Sequence, residues 1–270
     1  MRFPLLLICL SALSASAQFR TEELYKAETF RASNGIELGY RVWAPERSPQ
    51  NRQKYPVFVL MHGSGECGDD NRKQLMGYVA PFTVNCMKTG RGAIVVLPQF
   101  RADAWPIRSI AFTADYRIPA DPSPSLVAVK ELCDDVIRRY SGDPDRVVIG
   151  GLSLGGFATW DAVMRWPDSF AAAVPICAGG DSTQVERIRQ VPIWTFHGEE
   201  DKNVSVDCSR RMVKAIEACG GHVIYTEYPK TGHNAWDRAY ADPALVQWMF
   251  KQNRTDRNRS FWRKILDWFN

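Results

Sequence analysis

The 270-residue sequence predicts an α/β fold, a mostly parallel eight-stranded sheet with helices on both faces. Two observations carry that expectation. Short apolar, β-branched runs at 56–61, 93–97, 146–150, 171–177, 192–197 and 222–228 alternate with helical stretches, the order that parallel strands joined by crossover helices produce. A hydrophobic content of 45% lets a chain of this length bury a large core, and folds of this class commonly form one domain at this size.

Along the chain, Met1-Arg2 is a charged start, Phe3–Leu13 is apolar and Ala15-Ser16-Ala17 is an A-x-A cleavage site. Residues 1–17 are therefore expected to be a signal peptide, with export to the periplasm or beyond the cell. The apolar stretch is too short for a stable span. A strand pair near Tyr25–Phe30 and Ile36–Trp43 leads the domain, expected to cover 18–250. The strand at 56–61 runs into the glycine-rich loop His62–Asp70. After 93–97 comes a long segment, Gln99–Ser125, with Trp105, Tyr116 and several prolines, read as one wall of a cleft. The strand at 192–197 leads through a loop to a helix over Val204–Ala218, and the last strand, 222–228, leads through a short loop to a helix from Ala235. Residues 251–270 form a basic tail in which Phe261, Trp262, Ile265, Leu266 and Phe269 share one helical face. That face either docks on its own domain or makes a weak contact with a membrane or partner. The net charge of +4 is mild and spread along the chain, so no nucleic-acid partner is expected.

The chemistry sits where the run at 146–150 passes through Gly151-Leu152-Ser153-Leu154-Gly155 into a helical pattern. This is a nucleophile elbow: a serine hydroxyl attacks well only when a tight turn holds its oxygen out of the backbone, within reach of a base. The alternative for Ser153 is a plain helix N-cap, which requires no base or acid downstream. The four histidines make the search for a base short. His62 lies upstream at a strand end, His197 is read as a turn element, and His222 opens a strand as an ordinary side chain. His233, in a loop directly after the last strand, remains. For the acid, H-G-x-x-D-x-x-V from His197 to Val204 selects Asp201, with Glu199 and Glu200 as the other candidates. The oxyanion hole is expected to use the backbone N–H of Leu154 and that of Ser64, with Gly65 the close alternative. The loop at 62–70 lacks the Gly-Lys-Ser/Thr ending of a P-loop.

Apart from Cys9 in the leader, six cysteines remain, Cys67, Cys86, Cys133, Cys177, Cys208 and Cys219. Cys208 and Cys219 fall on one predicted helix, about 16 Å apart at 1.5 Å per residue and beyond disulfide reach. Cys67 with Cys86 is the favoured pair, since it would staple the oxyanion loop to the next helix. Six free thiols are the other expectation. None has a metal-site spacing.

The order Ser153, Asp201, His233, with the blocks Leu60–Glu66, Gly150–Asp161, Trp194–Asp201 and Tyr225–Trp236, resembles the α/β-hydrolases. Within them the chain is similar to the bacterial group loosely called predicted peptidases, close to dienelactone-hydrolase-like, polyhydroxybutyrate-depolymerase-like and feruloyl-esterase-like serine hydrolases. The resemblance implies an α/β-hydrolase fold and hydrolysis of a carboxylic ester through an acyl-enzyme, without metal or organic cofactor. Lids in such hydrolases usually enter after the sixth strand, where only Ala178–Gln190 is available here, so no large cap domain is expected. An open cleft suits polymeric substrates, and acyl or feruloyl esters of polysaccharide are the leading expectation. A serine peptidase or polyester depolymerase with the same triad is the alternative, followed by a non-catalytic carbohydrate-binding scaffold. Trp105 and Trp236 are candidates for stacking on substrate, or equally for core packing.

Overall fold

The computed structural model describes residues 21–46, 53–101 and 115–257. The expected leader, Trp105 and the apolar tail face at 261–269 lie outside them. The strands are β1 Lys26–Arg31, β2 Glu37–Trp43, β3 Tyr55–Met61, β4 Ile94–Gln99, β5 Gly142–Leu152, β6 Ala172–Ile176, β7 Ile193–Gly198 and β8 Val223–Tyr228. They form one sheet in the order β1-β2-β4-β3-β5-β6-β7-β8. β1 pairs with β2 and β2 with β4 antiparallel, and every later pairing is parallel. The α/β-hydrolase topology expected from the sequence is therefore present.

Side-chain alternation divides the interior into two cores. Val57, Val59 and Met61 of β3 point into one face, where α2 (Pro124–Tyr140), α3 (Leu154–Arg165) and α4 (Asp207–Ala218) pack. Phe58 and Leu60 point into the other, under α1 (Val79–Lys88), α5 (Ala235–Ala241) and α6 (Pro243–Lys251). Inner strands are apolar on both sides because helices cover both faces. Between β6 and β7 the chain makes only a short 3₁₀ turn at Val185–Ile188, so no cap domain enters there.

Several boundaries move from those the sequence suggests. β5 begins four residues early because Tyr55 already pairs with Gly142, before a register shift leads into the main ladder. α4 begins at Asp207 rather than Val204, because the N–H groups of Asn203 and Val204 are held by the Asp201 carboxylate in a turn. The packed unit continues past Phe250: Arg254 pairs with Asp145 at 2.6 Å, and Arg257 donates to the Phe170 carbonyl.

The favoured Cys67–Cys86 bridge is absent, and all six cysteines in the described residues are free. The reason is the two-core arrangement. Cys86 lies in the core under α1, whereas Cys67 packs against the core on the opposite face.

Candidate active site

Three strand ends build the site. β5 runs into Ser153, which adopts φ 50°, ψ −117° before α3 begins at Leu154. A residue with a Cβ rarely takes positive φ, so the turn is held by its surroundings. Ser153 N–H donates to the Ile176 carbonyl at 2.9 Å, and Gly155 N–H to the His62 carbonyl at 3.0 Å. A Cβ on Gly155 would fall on the carbonyl of Met61, so only glycine lets α3 come this close to the end of β3. Although Ser153 occupies the N-cap position, its hydroxyl caps nothing. It lies 2.9 Å from His233 Nε2.

His233 follows β8, and its Nδ1 lies 2.7 Å from Asp201 Oδ2. Because Oδ2 is an acceptor, Nδ1 carries the proton and Nε2 is left to accept from the serine. The other oxygen of Asp201 accepts from the N–H groups of Asn203 (2.9 Å) and Val204 (3.0 Å). Burial alone would raise this carboxyl, but bonds from His197, His233 and those two backbone groups hold it well below the usual carboxylate range. Glu199 and Glu200 are exposed; the Glu199 carboxylate accepts instead from Lys230 N–H. Ser153, Asp201 and His233 are thus brought together, and the other two carboxylates are not.

The oxyanion loop is shaped from beneath. His62 is fully buried; its Nε2 accepts from Phe100 N–H at 2.9 Å, so Nδ1 is protonated and donates to the Gly63 carbonyl at 2.6 Å. Burial pushes this imidazole down to about 4. In a trans peptide the N–H points opposite to the C=O, so anchoring Gly63 O turns Ser64 N–H the other way. A Cβ on Gly63 would lie 3.7 Å from Ser153 Cβ and 3.1 Å from Glu66 Oε2, which places this peptide beside the nucleophile with the Glu66 carboxyl next to it. Among the described residues no protein group accepts from the N–H of Leu154, Ser64 or Gly65. The Gln99 side chain braces the loop further, donating to Glu66 O (3.1 Å) and Asp70 Oδ1 (2.9 Å) and accepting from Asn71 N–H (2.6 Å).

Trp236 is half-buried against the α1 side core and meets the His233 ring edge to face, 5.0 Å between centroids, so its visible contact is with the imidazole. Cys177, buried at the end of β6, donates its thiol to the His233 carbonyl at 3.2 Å, and burial pushes that thiol up to about 12. Cys177, Asp201 and His233 present ligand atoms within 4.8 Å of one another, yet each is already engaged within the triad or its backbone. Arg165 binds the buried Asp161 at 2.6 Å and donates to the carbonyls of Pro119, Ala120 and Asp121, fixing the far end of the long β4–α2 connection.

His197 and Gln99 carry more of the site than the sequence suggests. His197 is a buried member of β7, 3.2 Å from Asp201, and the signal available for it is its place four residues before that aspartate.

Residues 46–243 match the phospholipase/carboxylesterase family. A protein described as a probable carboxylesterase of Oryza sativa subsp. japonica is 24% identical over 198 residues, covering 68% of this chain and 83% of the relative. A solved structure titled as a thermostable esterase superposes with a TM-score of 0.75 at 35% identity, covering 86% of this chain and 64% of that one, so the chain spans somewhat under two thirds of its length. A ferulic acid esterase shares the fold, with a TM-score of 0.63 at 18% identity over 83% of this chain and 98% of that one.

Proposed function

This chain belongs to the phospholipase/carboxylesterase family of α/β-hydrolases, and from that premise we propose that it is an exported serine esterase using Ser153, His233 and Asp201. The observation that carries the reading is the unbroken chain of hydrogen bonds from Ser153 Oγ through His233 to Asp201, at 2.9 and 2.7 Å. His233 Nε2 takes the hydroxyl proton as Ser153 Oγ attacks the ester carbonyl. Asp201 stays ionised and stabilises the resulting imidazolium. The negative charge on the tetrahedral oxygen is met by Leu154 N–H and, from the oxyanion loop, Ser64 N–H. His233 then protonates the departing alkoxide, and water repeats the sequence in reverse to release the acid.

The open side of the cleft supports a bulky or polymeric substrate, since only a 3₁₀ turn separates β6 from β7. The acyl or feruloyl esters of polysaccharide remain the leading substrate class. The leader pattern at 1–17 supports export. Turnover of p-nitrophenyl acetate by wild type and Ser153→Ala tests the chemistry. Activity should fall by about 10³-fold or more in a variant that melts like wild type, because no other group forms the acyl-enzyme. Equal turnover by both proteins sinks the proposal. Feruloyl, acetyl and peptide substrates compared side by side decide the class, and a preference for the peptide would favour the peptidase reading.

A further inference from the structure

We infer that His197 is a positioning residue for the triad acid: a second imidazole that holds the Asp201 carboxylate in the rotamer and ionisation state His233 requires. The inference rests on the assignment of Asp201 as that acid. His197 lies wholly inside the protein near the end of β7. Its Nε2 is 3.0 Å from the Val204 carbonyl and 3.2 Å from Asp201 Oδ2. Both neighbours are acceptors, so Nε2 must carry a proton directed at them. Nδ1 is 2.7 Å from Ser209 Oγ, which is itself 3.0 Å from the Ala178 carbonyl. With the proton on Nε2, Nδ1 of the neutral ring is an acceptor and the Ser209 hydroxyl donates to it.

The consequence follows from counting donors. Asp201 is a buried carboxylate with three hydrogen bonds, two from backbone N–H groups to Oδ1 and one from His233 to Oδ2. The His197 Nε2 proton, given to the Val204 carbonyl, lies beside Oδ2 with an N···O distance of 3.2 Å. An ion removed from water is tolerated only when such bonds replace its hydration. Without His197, Oδ2 has a single donor left, the His233 proton. The carboxylate would then hold that proton more strongly and turn more freely. The other ionisable groups near this pair are Cys177 and Cys208, whose thiols burial holds protonated, and Glu227, the cross-strand neighbour of His197, which is paired with Arg210. Of these, Glu227 offers no proton, and the Cys177 thiol, a weak donor, is already given to the His233 carbonyl at 3.2 Å.

The test is a pair of substitutions that place an amide nitrogen at one ring position or the other. His197→Gln puts it near Nε2 and keeps a donor to Asp201. His197→Asn puts it near Nδ1 and does not. Esterase kinetics on p-nitrophenyl acetate should show kcat reduced about 10- to 100-fold for His197→Asn with KM nearly unchanged, and the acid limb of kcat/KM moved to higher pH. His197→Gln should recover most of the rate and the original limb. Equal losses in both variants with an unmoved limb would make His197 a packing residue, and a fully active His197→Asn would also overturn the inference. Should neither variant fold, NMR of ¹⁵N-histidine-labelled Asp201→Asn decides. The ring resonances of His197 and His233 should both shift, and a shift confined to His233 rejects the contact. Loss of activity in Ser153→Ala beside a normal His197→Asn would reject this inference while leaving the serine mechanism standing.

Discussion

His62 and His233 are both imidazoles at strand ends, yet their surroundings give them opposite tasks. His233 is partly open to the cleft and touches the serine, whereas His62 is sealed beneath the oxyanion loop with a donor on one side and an acceptor on the other. Because burial lowers its pKa from 6.5 to about 4, the unfolded chain takes up this proton first as pH falls. The sign is therefore fixed: His62 contributes stability above about pH 6.5, which is lost progressively down to about pH 4, on the order of 3 kcal/mol in all. Melting temperatures of wild type and His62→Gln between pH 7 and 4.5 check this. Wild type should be the more stable at pH 7, and the gap should narrow as pH falls; a gap independent of pH would contradict it. That Ser153, Asp201 and His233 meet could be read from the sequence because a serine elbow, an acid and a histidine stand in the order that the α/β-hydrolase fold brings together. The role of His197 could not, because a histidine followed by glycine at a strand end also fits a turn, and only the fold reveals that its ring points inward.

The elements that matter most are the ends of β7 and β8, where two loops cross at nearly zero clearance. A Cβ on Gly198 would fall on the carbonyl oxygens of Thr231 and Gly232, immediately before His233. Gly198→Ala must push the β7 end away from the loop that carries the base. The cost expected is about 1–3 kcal/mol of overpacking, with kcat reduced beyond what the stability loss explains. Urea unfolding midpoints together with kcat measured well below the transition would show both effects, and a wild-type rate would mean that the loop adapts. Strand existence was legible here because inner strands are apolar on both faces, while boundaries were not. β5 is extended by a register shift at Tyr55, and the start of α4 is delayed by Asp201, whose carboxylate accepts from the N–H groups of Asn203 and Val204. Neither event leaves a mark in hydrophobic periodicity.

At the scale of the whole molecule, the sheet is a wall between two cores, and the cysteines are divided by it. Cys86 and Cys177 lie on one side, and Cys133 and Cys208 on the other, with Cys67 and Cys219 packed against that second core. The expected staple between the oxyanion loop and the next helix is a bridge across that wall, and it is absent. A disulfide of ordinary worth, about 2–4 kcal/mol, would lower the melting temperature by several degrees on reduction. Excess dithiothreitol should therefore leave Tm unchanged in calorimetry, and a clear drop would reveal a bridge.

The positive φ of Ser153 has a consequence for how this protein can be evolved. Holding a side chain at such an angle costs about 1–3 kcal/mol, and glycine would escape most of it. Ser153→Gly should therefore raise Tm while abolishing turnover, a pairing that differential scanning and an esterase assay can check on one sample. Selection for heat tolerance alone would drive a population toward inert descendants at this codon. A directed-evolution campaign has to score catalysis in every round, because the serine that this turn exposes is the side chain that selection for robustness alone would erase.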